Sequence, residues 1–72
     1  MQVSELQVDQ NATIEYWFRR IDGGDDCSII TGNVVRKLGD QIEIDVQHCY
    51  FGWFQGRNIW VRGNSEVIKI NN

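Results

Sequence analysis

From Gln41 to Tyr50 hydrophobic and polar positions alternate. Ile42, Ile44, Val46, His48 and Tyr50 fall on one side, and Gln41, Glu43, Asp45, Gln47 and Cys49 on the other. A repeat of two is that of an extended strand with one buried face, so this reading turns His48 toward the core. The same period predicts a strand over 13–21, with Ile14, Tyr16 and Phe18 inward and Thr13, Glu15, Trp17 and Arg19 outward. A third strand, over 28–38, aligns Ile30, Gly32, Val34 and Leu38; a glycine inside a strand marks a bend or bulge. Leu38-Gly39-Asp40-Gln41 reads as a tight hairpin turn. Ile59 and Val61 are in phase over a strand at 58–62, and Ile68 to Ile70 form a last short one. Between these two, Asn64 or Ser65 caps a single helical turn at Ser65-Glu66-Val67. Residues 1–11 remain open between a short strand and a loose turn, carrying Val3, Leu6 and Val8. The expected core is Ile14, Tyr16, Phe18, Ile30, Val34, Leu38, Ile42, Ile44, Val46, Ile59, Val61, Val67 and Ile70.

Seventy-two residues make one domain, 1–72, with a thin core. At 42% hydrophobic and 24% charged the chain is globular rather than disordered. No run of about 18 apolar residues is available for a membrane helix. Residues 1–10 carry Glu5 and Asp9 without a basic start, so no secretory signal is read and the expected location is cytoplasmic. In that setting Cys27 and Cys49 are expected as reduced thiols. With His48 they offer three metal ligands at most, and His48 and Cys49, being neighbours on a strand, point to opposite faces. Neither metal nor cofactor is expected. The net charge of −3 argues against a general duplex-DNA binder.

This order of elements resembles the small five-stranded SH3-like barrels, the group that includes Tudor-type folds. Three strings carry the resemblance: Thr31-Gly32-Asn33-Val34-Val35, Gly39-Asp40-Gln41-Ile42-Glu43-Ile44, and the stretch from Ile59 through Gly63-Asn64-Ser65 to Ile70. The resemblance covers roughly residues 12 to 71. It implies an all-β barrel with one 3₁₀ turn near the C-terminus. Fold alone does not settle function.

The densest chemical feature is Tyr50-Phe51-Gly52-Trp53-Phe54-Gln55-Gly56-Arg57. Four aromatics in five residues cannot all enter one thin core, so some face a partner. Trp17 and Trp60 alternate away from their apolar neighbours and are expected at the surface. The candidate binding residues are therefore Trp17, Tyr50, Phe51, Trp53, Phe54, Arg57 and Trp60. They suggest a non-enzymatic interaction module that binds a protein partner or itself, with a homodimer through 50–57 as the expected assembly. Convergence of Trp17, Trp53 and Trp60 on one surface would make an aromatic cage with Glu15 or Asp45. A single-stranded nucleic-acid binder is the alternative, using Arg19, Arg57 and Arg62 beside stacking aromatics. Three acids in Asp22-Gly23-Gly24-Asp25-Asp26 read as a polar hairpin loop. Enzyme chemistry finds one histidine and no phosphate loop. The type II dihydrofolate reductases are also SH3-like and build a shared pore from four chains. Their Val-Gln-Ile-Tyr motif is matched neither by Val46-Gln47-His48-Cys49-Tyr50 nor by Asn58-Ile59-Trp60.

Overall fold

The computed structural model describes residues 1–50 and 52–72. Five antiparallel strands follow one 3₁₀ turn: β1 (Asn11–Arg19), β2 (Asp25–Leu38), β3 (Gln41–Cys49), β4 (Asn58–Val61) and β5 (Val67–Ile70). They form one sheet in the order β4-β3-β2-β1-β5. The sheet is not closed, because β4 and β5 lie at its two edges without pairing to each other. The all-β, five-stranded expectation therefore holds at the level of the sheet.

One face of the sheet encloses the core. Ile14, Ile30, Val34, Ile42, Ile44, Val46 and Val61 are buried as the alternation predicts. Tyr16, Ile59, Val67 and Ile70 pack against them half-buried. At Gly32 β2 lies close against β3: a Cβ there would overlap the Asp45 carbonyl.

Three expected inward side chains, His48, Tyr50 and Leu38, point out instead, and each lies beyond a bulge. In the β2–β3 ladder Thr31 faces His48 while Gly32 faces Val46, which leaves Gln47 as an extra residue. An extra residue reverses the alternation beyond it. Cys49 is accordingly buried, and His48 is exposed. The second shift lies between Val34 and Arg36 and leaves Val35 unpaired. Lys37, opposite Ile42, then takes the inward phase, and Leu38 is 71% exposed.

The open N-terminal segment is neither a strand nor a loose turn. Val3–Glu5 is a 3₁₀ turn closed at its start by a capping box, in which the Gln2 N–H donates to Glu5 Oε2 at 2.6 Å. Three residues per turn places positions i and i+3 on one face, and Val3 and Leu6 are both fully buried. Backbone bonds from Val3 to the Ser65 carbonyl and from Ser4 to the Gly63 carbonyl tie this turn to the loop before β5. Among the described residues this is the 3₁₀ turn of the fold. At the expected site of the C-terminal one, Ser65 closes a turn onto the Arg62 carbonyl and Glu66 bridges to Gln2.

Candidate functional site

β1 outruns its neighbour on one side. It pairs with β2 along its whole length, Asn11 to Arg19, but with β5 only from Ala12 to Ile14. The last bond on that side runs from the Glu15 N–H to the Glu66 carbonyl at 3.0 Å. Beyond it the end of β1 faces an open seam, walled on the far side by Trp60 and by Arg62 to Glu66. The seam encloses about 640 Å³; residues 15–19 of β1 line one side, and Trp60, Arg62 and Glu66 are among those lining the other.

The inward-facing aromatics of the same strand end continue the core outward. Tyr16 stacks near Phe18, with centroids 6.0 Å apart, and Phe54 meets both edge-on at 5.2 Å. Trp53 adds an edge contact to Phe18 at 6.0 Å. Phe18 thus belongs to an aromatic cluster at the end of the core rather than to its fully buried centre. Offset and edge contacts of this kind add roughly 0.5–1.5 kcal/mol each beyond area burial. Local backbone chemistry places Trp53 and Phe54. Gly52 and Gly56 adopt φ of +78° and +80°, left-handed values that glycine reaches without strain. They allow the chain to double back, so that the Gly56 N–H bonds the Val46 carbonyl and the Val46 N–H bonds the Arg57 carbonyl.

A second cleft of about 630 Å³ opens beside this cluster, between Phe18, Ile21, Trp53 and Phe54, with Arg19 and Arg20 at its margin. Trp53 is 60% exposed, and Ile21 is wholly exposed. Both arginines are engaged by the adjoining hairpin: Arg19 with Asp25 at 3.6 Å, and Arg20 with Asp22 at 3.2 Å and Asp26 at 3.9 Å. The Gly24 N–H also donates to Asp22 Oδ1. The acids of this loop therefore serve the turn and its arginines.

The candidate residues separate into two places. Trp17 and Trp60 line the seam, whereas Trp53 and Phe54 line the cleft on the other side of Phe18. Arg36 lies 5.8 Å over the Trp60 ring and holds Glu43 at 3.0 Å, so Trp60 already has a cationic neighbour. Tyr50 is exposed, and its N–H bonds the Ile29 carbonyl. Arg57 is exposed beside the Gly56 turn. Phe51 lies outside the described residues. Sequence reasoning missed Ile21 because it reads as the last residue of a strand; that strand ends at Arg19, and Ile21 stands in the turn.

Cys27 and Cys49 are both reduced thiols. Cys49 is buried, with Ser28 Oγ at 3.2 Å from its sulfur. Cys27 sits opposite Trp17 on the neighbouring strand. Burial pushes its thiol pKa up, and the Glu15 and Asp26 carboxylates push it further. Only the thiolate attacks an alkylating reagent. Cys27 is therefore expected to react with iodoacetamide more slowly at neutral pH than an unhindered thiol, and faster as pH rises. Native Cys49 is expected to stay unmodified until the protein unfolds. Peptide mass mapping over a pH series checks both. Among the described residues no group of three or more His, Cys, Asp or Glu side chains is placed to hold a metal ion. No helix among them is long and apolar enough to cross a membrane.

No protein-family model, curated protein or solved structure matches this chain significantly.

Proposed function

We propose that this chain is a non-enzymatic interaction module on an SH3-like scaffold, and that it binds a protein partner or a second copy of itself through its aromatic surface. The observation that carries the reading is the cleft in which Trp53 and Ile21 stand exposed beside Phe18 and Phe54. Clustered exposed apolar side chains with polar groups at their rim are characteristic of protein contact sites. Each well-buried side chain of this size contributes roughly 1.5–3 kcal/mol. The histidine, His48, is exposed on β3 and is not among the residues lining either groove.

Single-stranded nucleic acid is less well served. Affinity for a phosphate backbone requires cations that release counterions on binding. Arg19 and Arg20 border the aromatic cleft, but both already hold hairpin carboxylates. A bound oligonucleotide would have to compete with Asp22, Asp25 and Asp26.

Sedimentation velocity at micromolar concentration is the direct test, and a dimer is the expected species. Ile21 is wholly exposed, so Ile21→Lys removes no folded-state packing. Losing about 1.4 kcal/mol or more of contact energy weakens association roughly tenfold or more, with the melting temperature of the dilute monomer unchanged. Trp53→Ala is expected to act in the same direction. Association that neither substitution changes overturns the assigned surface. Binding to an oligonucleotide that falls steeply with added salt replaces the protein reading by the nucleic-acid one.

A further inference from the structure

We propose that the partner at this surface is a second copy of the chain, and that the two copies join by antiparallel pairing of their β1 ends about a twofold axis at Phe18. The inference rests on the interaction-module reading above and specifies its partner and register. It begins with the direction of backbone groups. In β1 the Glu15 N–H and the Asn11 carbonyl bond outward, to the Glu66 carbonyl and the Asn71 N–H, while the Arg20 N–H turns back to the Gly24 carbonyl of the hairpin. Strand alternation therefore directs the N–H and C=O groups of Trp17 and Arg19 into the seam, beyond the last β5 pair at Ile14, where among the described residues no strand pairs with β1 on that side.

An edge of this kind is normally blunted by lysine, proline, a bulge or a covering segment. Tyr16-Trp17-Phe18-Arg19 contains neither lysine nor proline, its register with β2 runs unbroken, and Trp60, Arg62 and Asn64 to Glu66 stand across a gap of about 640 Å³ from it. The register shift in β1 lies upstream, at Thr13 and Ile14.

The register follows from what is already occupied. Twofold pairing centred on Trp17 would call on the Glu15 N–H, which the Glu66 carbonyl holds. Centring on Phe18 uses only Trp17 and Arg19: each pairs with its counterpart, Trp17 with the partner's Arg19 and Arg19 with the partner's Trp17, giving four backbone hydrogen bonds. The Phe18 rings of the two copies then lie side by side on the inner face, and Trp17 meets the guanidinium of the partner's Arg19 on the outer face, a cation–π pair. The apolar clefts of both subunits adjoin the same axis, because Phe18 lines each of them.

The area is sufficient. Trp17 and Trp53 are each 60% exposed and Ile21 is wholly exposed. With aromatic side chains carrying about 150–250 Å² each, these three residues offer on the order of 400 Å² per subunit. Doubled, and joined by the strand edges, this passes the roughly 1,000 Å² that specific interfaces clear.

Residue-resolved hydrogen exchange on the wild-type protein, across a concentration series followed in parallel by sedimentation, tests the proposal. The Trp17 and Arg19 amides are expected to exchange quickly in the monomer and to gain protection in step with the dimer fraction. The Phe18 amide, directed at β2, serves as the internal reference. A dimer that leaves Trp17 and Arg19 unprotected overturns the edge pairing and leaves the aromatic-cleft reading standing. Protection of both amides in dilute monomer means the seam is closed within the chain, and also overturns it. A protein that stays monomeric to millimolar concentration overturns self-pairing, while pull-down of a protein partner sensitive to Ile21→Lys would still support the cleft.

Discussion

Replacing Leu6 with alanine is expected to lower the melting temperature by roughly 10–30 °C. Leu6 is fully buried and sits on the same face of the 3₁₀ turn as the equally buried Val3. Truncating a buried leucine costs about 2–5 kcal/mol, through lost transfer energy and the cavity left behind. A domain of this size has about 4–11 kcal/mol of total stability, and each kilocalorie is worth about 4–8 °C. Leu6 and Val3 are the apolar anchors of a segment otherwise held by backbone bonds to Gly63, Ser65, Val67 and Val34 and by the Lys37 ammonium on the Ser4 carbonyl. Val8→Ala is the control, since Val8 is about half exposed and only two residues away; its change is expected within about 0.5 kcal/mol. Thermal denaturation followed by circular dichroism compares the two. If Leu6→Ala melts with the wild type, the N-terminal turn is not part of the cooperative core.

That Leu6 had to be seen rather than read illustrates what kind of information the chain displays. Period-two alternation survives wherever a strand is regular, so Ile42, Ile44 and Val46, or Ile30 and Val34, could be assigned to the core from sequence. It fails at bulges, because one extra residue inverts the phase of everything after it. His48 and Leu38 lie just beyond Gln47 and Val35 and were turned the wrong way for that reason. The break in β2 leaves a trace in Val34-Val35, two adjacent apolar residues ahead of Arg36-Lys37; the break at Gln47 leaves none. The N-terminal turn has its own signature, Val3 and Leu6 three apart with Gln2 and Glu5 as capping partners, but two residues at that spacing are too few to separate from chance. The candidate site was half legible. The excess of aromatics over core volume pointed to 50–57, and Trp53 and Phe54 do line a cleft. The other wall of that cleft, Phe18 and Ile21, comes from the β1 end and its turn, and no local pattern brings residues 18 and 54 together. The open seam depends on how far β5 runs beside β1, a property of strand length and register rather than of any motif.

Gly32→Ala is expected to be among the most damaging single-methyl additions to this chain. Gly32 is buried in β2 at the point where the ladder shifts register against β3. A Cβ there would run into the Asp45 carbonyl and the Ile44 Cγ2 atom. The obstacle is backbone rather than the flexible end of a side chain, so relief requires β2 and β3 to separate. Overpacking a close-packed interior costs about 1–3 kcal/mol, and here the separation also stretches the hydrogen bonds on either side of the bulge. A drop of roughly 5–20 °C in melting temperature follows from the same scaling. Gly39 offers the contrast. A Cβ there meets nothing within 4 Å, but its φ of +61° is left-handed, so Gly39→Ala is expected to cost roughly 1–2 kcal/mol through conformation alone. Gly39→Asn should recover most of that loss, since asparagine tolerates the left-handed region. No substitution at Gly32 should be rescued in this way, because its constraint is space. If Gly32→Ala proves as stable as the wild type, the strands are not in the close register that turns Cys49 inward and His48 outward. The same measurement therefore bears on the bulge at Gln47.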